Sequence, residues 1–362
     1  MKLPSSGRGL RTDGVPLRPR RLRLEASTAC QLRCPSCPTT EGRIGEALGT
    51  GFLAFAHFKR LIDENPWVRD VELSNWGEIF LNPDLLAILE YADRKHVAIR
   101  ADNGVNFNTV KDDVLEGLVK YRVRSMTCSI DGASNQTYGL YRRRGCFDQV
   151  IENVRKLNAL KACYRSDYPE LHWQFIAFGS NEHEIPRARA QARALRMTFD
   201  VKLSWGDMYT AEAFSPVNNK DLVRRETAGG VADRREYRQK YRRNYLQKSI
   251  CAELWRSPQL NWDGKVLGCA VNHWGDFGNA FQDGLVQSLN NEKITYARRM
   301  LLGRVPPRAD IPCTTCTHYQ AMQADGRWLT RRDTASAGTL PQVMAWAWRK
   351  SVSQVKRLLG MH

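Results

Sequence analysis

Residues 21–38 read RLRLEASTACQLRCPSCP. The first seven alternate, with Leu22, Leu24 and Ala26 on one side and Arg23, Glu25 and Ser27 on the other. That is the period of a β-strand with one apolar face. Three cysteines follow at once on a C-x3-C-x2-C loop: Cys30, Cys34 and Cys37. What lies after this strand and loop decides the fold.

Downstream, strand and helix patterns alternate. RDVELSN (69–75), VAIRADNG (97–104), VRSMTCSIDG (123–132), LHWQFIAF (171–178) and VKLSWGD (201–207) read as further strands. Between them FKRLIDENP reads as a helix closed by proline, and NPDLLAILEYADRKH as one opened by Asn82 with Pro83 at its first position. Helices follow near 109–120, in FDQVIENVRKLNAL and in EHEIPRARAQARAL. Six βα-like units imply a parallel sheet with helices outside it, an incomplete TIM-type (β/α)6 barrel of α/β class. Functional groups of such a barrel lie at the C-terminal ends of its strands, where the cysteine loop begins.

The chain has 362 residues, 42% apolar and 26% charged, which suits a globular protein with a sizeable core. No apolar run of 18 residues suggests a membrane span, and the basic start MKLPSSGRGLRTDGVPLRPRR lacks the apolar region of a secretory signal. Residues 1–20 are expected to form a disordered arm, and the protein to stay in the cytoplasm. In a reducing compartment, ten cysteines suggest metal binding rather than disulfides. Cys128, Cys146 and Cys163 stand alone and read as small buried hydrophobes. A formal charge of +17 points to an anionic partner without choosing its kind.

Three thiolates do not saturate a structural zinc, which takes four ligands. They suit a cubic iron–sulfur cluster with one iron open to chelate a small molecule. The alternative is a zinc knuckle completed by a remote residue. A second group follows: Cys251, 17 residues, Cys269, 43 residues, Cys313, two residues, Cys316. Gly264 in WDGKVLGC allows a hairpin entering Cys269. By spacing alone this group also suits a four-cysteine zinc site.

CQLRCPSC resembles the signature of the radical SAM superfamily, and the likeness runs over residues 21–210. The resemblance implies a [4Fe–4S] cluster on Cys30, Cys34 and Cys37 that cleaves S-adenosylmethionine (SAM) to a 5′-deoxyadenosyl radical. NWGEIFLNPDL is similar to the segment that holds the SAM amino group, here Gly77–Glu78, with Trp76 where many members have glycine. DNG (102–104) matches the third-strand turn and brings in Asn103. SIDGAS implies Ser129 and Asp131 near the SAM ribose. YRRRG implies Arg142 or Arg143 against the SAM carboxylate, since a guanidinium meets a carboxylate through two bonds. Asn181 matches a further polar contact. The C-terminal group resembles a SPASM domain in its shortened twitch form, which implies one auxiliary [4Fe–4S] cluster on Cys251, Cys269, Cys313 and Cys316, with His318 as a neighbour rather than a ligand. The expected organisation is a barrel over 21–215, a basic helical linker over 216–249, a small α+β cluster domain over 250–330 and an amphipathic helix over 331–362.

The expected reaction is hydrogen abstraction from a small polar molecule, a carbohydrate, aminocyclitol or nucleotide sugar. Net oxidation would pass an electron to the auxiliary cluster, and a flavodoxin or ferredoxin would supply the first one. Epimerisation also stays open, although strand parity turns Cys128 away from the site. Modification of a peptide is a second reading; no fused recognition module of about 80 residues is seen before the barrel. Strand alternation turns Glu72, Arg100, Asp102, Lys202 and Ser204 inward, with Asp207 and Tyr209 on the rim. Lys202 and Asp207 are the candidates to hold substrate and act as base. In RREYRQKYRRNYLQK, Tyr237, Tyr241 and Tyr245 recur at helical spacing, either as a seam packed on the barrel or as a phosphate-binding lid. Met344, Trp348, Val352, Val355 and Leu359 form a stripe flanked by basic residues, which suits peripheral contact with an anionic membrane or packing on the barrel. No aromatic-interleaved nucleic-acid motif is present, so no nucleic acid is expected.

Overall fold

The computed structural model describes residues 16–204 and 214–335. Seven strands, β1 (Arg21–Leu24), β2 (Asp70–Glu72), β3 (Ala98–Val105), β4 (Ser125–Ser129), β5 (Glu170–Ile176), β6 (Thr198–Lys202) and β7 (Gln259–Leu260), form one sheet in the order β6-β5-β4-β3-β2-β1-β7. Every pairing is parallel. The two end strands do not pair with each other among the described residues, so the α/β barrel is partial. The first six strands coincide with the six read from the sequence. β7 does not: it arrives from the C-terminal segment and adds to the free edge of β1 through Arg23↔Gln259 and Leu24↔Leu260.

Helices α1 (Arg43–Leu48), α2 (Phe55–Glu64), α3 (Leu85–Arg94), α4 (Asp112–Lys120), α5 (Asn135–Tyr141), α6 (Phe147–Cys163) and α7 (Ile185–Ala194) connect the strands. Leu22, Leu24, Val71, Met126, Trp173 and Phe175 are buried in the main core together with Phe58, Ile88, Leu118 and Val154 from the helices. β4 is buried at every position, as a central strand covered on both faces should be.

α3 begins at Leu85 with Asp84 as its cap, not at Asn82 and Pro83. Asn82 is occupied elsewhere: its amide donates to the carbonyls of Ala26 and Leu53, stitching β1 to the loops beside it. Of residues 1–20, residues 1–15 lie outside the described residues. The rest of that arm is docked, with Leu17 exchanging hydrogen bonds with Asn290 and Arg18 stacked 4.8 Å from the Trp67 ring.

The basic stretch forms α8 (Lys220–Glu226) and α9 (Arg234–Tyr241). Arg242 adopts a left-handed conformation and ends α9, so Tyr245 is off the helix. Its ring still meets Tyr237 edge-on at 5.1 Å, and Tyr237 packs at a tilt against Tyr241 at 4.6 Å. No residue of α9 is buried, so the aromatic rings form a partly exposed cluster rather than a seam in the core. Cys128 is buried as expected, whereas Cys146 and Cys163 are exposed. Among the described residues no helix is long and apolar enough to cross a membrane. The stripe of Met344 to Leu359, and Asp207 and Tyr209, lie outside the described residues.

Candidate active site and its thiol groups

β1 ends where the cysteine loop starts, and the turn after β2 is fixed to that junction by backbone contact. Glu78 N donates to Ala29 O at 2.8 Å, one residue before Cys30. A side chain at Gly77 would put its Cβ 2.3 Å from Ser27 O and 2.6 Å from Ala29 O, so only glycine allows this approach. Beneath it, the fully buried Glu25 of the first strand segment accepts hydrogen bonds from the backbone N–H of Trp76 at 3.1 Å and of Gly77 at 3.4 Å. Burial pushes the Glu25 carboxyl up to about 8. Glu25 was not singled out in the sequence; its signal was a charged residue at an inward position of the strand that feeds the loop.

Cys30, Cys34 and Cys37 all line a cavity of about 320 Å³ at the C-terminal ends of the strands. Gly77, Glu78, Asn103, Ser129, Arg142 and Lys202 line it too. Glu78 accepts from Asn106 N at 2.7 Å and Phe80 N at 3.2 Å, and burial raises its carboxyl to about 7. Gly104 takes a φ of 134° where β3 shifts register, and its α-carbon approaches the Ser129 hydroxyl so closely that a Cβ would lie 2.5 Å away. That irregularity carries Asn103 to the cavity, where its side chain donates to Asn75 at 2.7 Å. Arg142 donates to the Asp131 carboxylate at 2.6 Å and lies 3.7 Å from Cys34 Sγ. Burial raises Cys30 to about 12 and Cys34 to about 11 as free thiols.

Three expected contacts stand back from the cavity wall. Asp131 is fully buried and holds Arg142 with one oxygen and Ile176 N with the other. Asn181 braces the turn after β5, donating to Asp131 O and Ile176 O and accepting from Phe178 N. Arg143 meets the cysteine loop only through its carbonyl, which accepts from Arg33 N at 3.0 Å. Of the inward-facing set, Lys202 reaches the cavity and donates to Gln174, which sequence reading missed. Glu72, Arg100 and Asp102 form a bonded group deeper in the barrel: Glu72 accepts from the backbone of Ser74 and Asp102, while Arg100 pairs with Asp70 at 2.7 Å and approaches Asp102 at 3.7 Å. None of them, nor Ser204, lines the cavity.

The C-terminal segment supplies the opposite wall through Leu246, Ser249, Ile250, Glu253, Ala270 and Val271. Behind it, Cys251, Cys269, Cys313 and Cys316 all line a second, smaller cavity of about 20 Å³ whose other walls include Leu254, Phe277, Leu301 and Tyr319. Four local structures present these thiols. Cys251 ends helix α10 (Gln247–Cys251), and Cys269 leaves a hairpin turned at Gly264, φ 90°. Cys313 lies in the turn Pro312–Thr315, and Cys316 caps the helix Thr317–Asp325. Ile250 borders both cavities. His318 is buried with no hydrogen bond to either ring nitrogen among the described residues, and it does not line the thiol cavity. Among the described residues, no three His, Cys, Asp or Glu side chains meet as ligands of one metal ion. Each set of thiols borders a space instead.

No family model matches this chain, and no curated protein sequence does. Solved structures do. SuiB of Streptococcus suis bound to S-adenosylmethionine matches with a TM-score of 0.58 and 13% identity, over 84% of this chain and 72% of SuiB. SuiB bound to precursor peptide SuiA matches at 0.55 with 14% identity, over 84% and 70%. Native anSMEcpe with bound AdoMet matches at 0.53 with 14% identity, over 83% and 87%. At these identities the likeness is one of fold.

Proposed function

The chain has the fold of radical SAM enzymes, and we propose that it works as one, on a small polar substrate. The observation that carries this reading is the meeting, in one cavity, of the three thiols of the C-x3-C-x2-C loop with the Gly77–Glu78 turn. Three thiolates leave one corner of a [4Fe–4S] cluster free. The bare backbone at Gly77 and the carboxylate of Glu78 suit the amino group of SAM, and Ser129 and Asn103 suit its ribose. Arg142, oriented by Asp131, presents its remaining N–H groups toward the loop and suits the carboxylate. Asp131, Arg143 and Asn181 act behind that surface. Bound there, the cluster and SAM would supply a 5′-deoxyadenosyl radical that abstracts hydrogen.

The four thiols behind Ile250 suit a second cluster with no free corner. Net oxidation fits them: after a hydrogen atom and a proton leave the substrate, one electron remains and needs an acceptor close by. The reading carries with it a reducing, cytoplasmic setting and a flavodoxin or ferredoxin as donor. The likeness to SuiB with its bound peptide favours a second reading, modification of a peptide. A peptide would have to reach the same cavity, whose wall includes Leu246 and Trp76.

Anaerobic reconstitution with iron and sulfide, followed by reduction in the presence of SAM, tests the core of this proposal. Roughly eight irons per chain and release of 5′-deoxyadenosine are expected from two cubic clusters. Protein that binds zinc alone and leaves SAM intact would overturn it.

A further inference from the structure

Apart from the thiols and Tyr141, four ionisable side chains reach the cavity at the thiol loop: Glu78, Arg142, Lys202 and Glu253. Three of them are answered by the protein itself. Glu78 accepts two backbone N–H bonds, and Arg142 is paired with Asp131. Glu253 accepts from Ala270 N at 2.7 Å and lies 3.8 Å from Arg23. Lys202 differs. Its ammonium donates to the side-chain oxygen of Gln174, a neutral amide, and it makes no ion pair among the described residues. The two residues stand on neighbouring strands, with Ile176 opposite Lys202 in the register and also on the cavity wall.

Lys202 is drawn partly out of water with only the charges of Asp200 and Asp102, neither within ion-pair distance, to answer its ammonium. That is costly, and an anion brought beside it relieves the cost. Gln174 adds what a point charge lacks, because the N–H groups of its amide can donate to a second oxygen while its carbonyl holds the lysine in place. The pair sits at the end of the sheet occupied by β5 and β6, whereas the cysteine loop leaves β1, four strands from β5 in the sheet order. A substrate anchored at one side therefore has its remaining atoms directed across the cavity toward the thiol loop.

Resting on the function proposed above, we propose that Lys202 and Gln174 form an anchoring subsite for an oxyanion, a carboxylate or phosphate, carried by the substrate. Lys202 is in this reading a binding residue and not the base. Burial lowers its affinity for a proton, and a bound oxyanion restores it.

The test reads Lys202 itself in the reconstituted full chain. The protein is treated with a limiting N-hydroxysuccinimide ester in chloride, in acetate and in inorganic phosphate at equal ionic strength, and acylation is quantified by peptide mass spectrometry. At an anion concentration about four times its Kd, one-site occupancy slows labelling of Lys202 about fivefold. Protection by acetate alone assigns a carboxylate, and protection by phosphate alone assigns a phosphate. The exposed Lys111, in no ion pair among the described residues, is expected to react equally in all three salts. Gln174→Leu is expected to weaken the protection. Equal labelling of Lys202 in the three salts would overturn the subsite. Protection in a protein that releases no 5′-deoxyadenosine would support the subsite while removing the radical reading, and release without protection would do the reverse.

Discussion

Replacing Gly77 by alanine is the sharpest test of how the site is assembled. The added Cβ would lie 2.3 Å from Ser27 O and 2.6 Å from Ala29 O, both backbone atoms at the start of the cysteine loop. A tight but acceptable contact is about 3.2 Å, so the turn must retreat by about 0.9 Å. That retreat stretches the 2.8 Å bond from Glu78 N to Ala29 O beyond useful length. Overpacking of about 1–3 kcal/mol and loss of a net hydrogen bond of about 1 kcal/mol together give a destabilisation of about 2–4 kcal/mol. At about 2.1 cal/mol/K per residue, the unfolding entropy of 362 residues is about 0.76 kcal/mol/K, so Tm should fall by about 3–5 °C. A shift approaching 1 Å in a group that orients a reactant can cost about a hundredfold in rate, so 5′-deoxyadenosine formation should fall far more than stability. Gly139 of α5, with nothing within 4 Å of its added Cβ, is the control, and its change to alanine should stabilise by about 0.5–1 kcal/mol. Anaerobic melts and single-turnover assays on both variants decide the matter. A Gly77→Ala protein with unaltered Tm and unaltered turnover would refute the reasoning.

Other consequences are open to measurement. Because burial holds Glu25 protonated to about pH 8 while the unfolded chain ionises near 4.5, the folded state binds the extra proton between these values. Its contribution to stability is thus greatest at low pH and declines as pH rises through that window. Glu25→Gln should remove that share of the decline in urea titrations run from pH 5 to 8, and identical slopes for the two proteins would contradict it. Asp131→Asn leaves the Arg142 guanidinium without its counter-ion and should cost about 3–5 kcal/mol, measured as a lower urea midpoint. Replacing Cys30, Cys34 and Cys37 together by alanine should halve an iron content of roughly eight and abolish SAM cleavage. The same change at Cys251, Cys269, Cys313 and Cys316 should also halve the iron yet leave reductive cleavage of SAM without substrate measurable. Equal iron loss with equal residual cleavage in the two variants would contradict the division of labour.

The barrel was legible because its strands and helices differ in period, and the six strands from Arg21–Leu24 to Thr198–Lys202 each follow apolar and polar residues that alternate or run buried. The cysteine loop stood out by its spacing, and Gly77, Glu78, Asn103, Ser129 and Arg142, named by resemblance, line the same cavity. What was lost depends on contacts between distant residues. Two residues, Gln259 and Leu260, carry no strand signal, yet they complete a ladder with β1 because that edge is otherwise unpaired. Asn181 and Asp131, named by the same resemblance, stand off the cavity wall, where their side chains bond the backbone and Arg142. Gln174 was hidden for the opposite reason: a single amide in a strand gives no hint that it lies beside Lys202. Cys146 and Cys163 show the limit of composition, since a lone cysteine is as exposed as its element leaves it.

The attachment of β7 to β1 has a bearing on biosynthesis. A nascent chain completes its first six strands by residue 202, long before the pair at 259–260 emerges to cap the first one. During that interval the barrel presents a bare row of amides and carbonyls to any other extended segment, a template for aggregation. Capping that row also draws the flanking Cys251 and Cys269 to the barrel's side, where Cys313 and Cys316 from further along the chain complete the second thiol set.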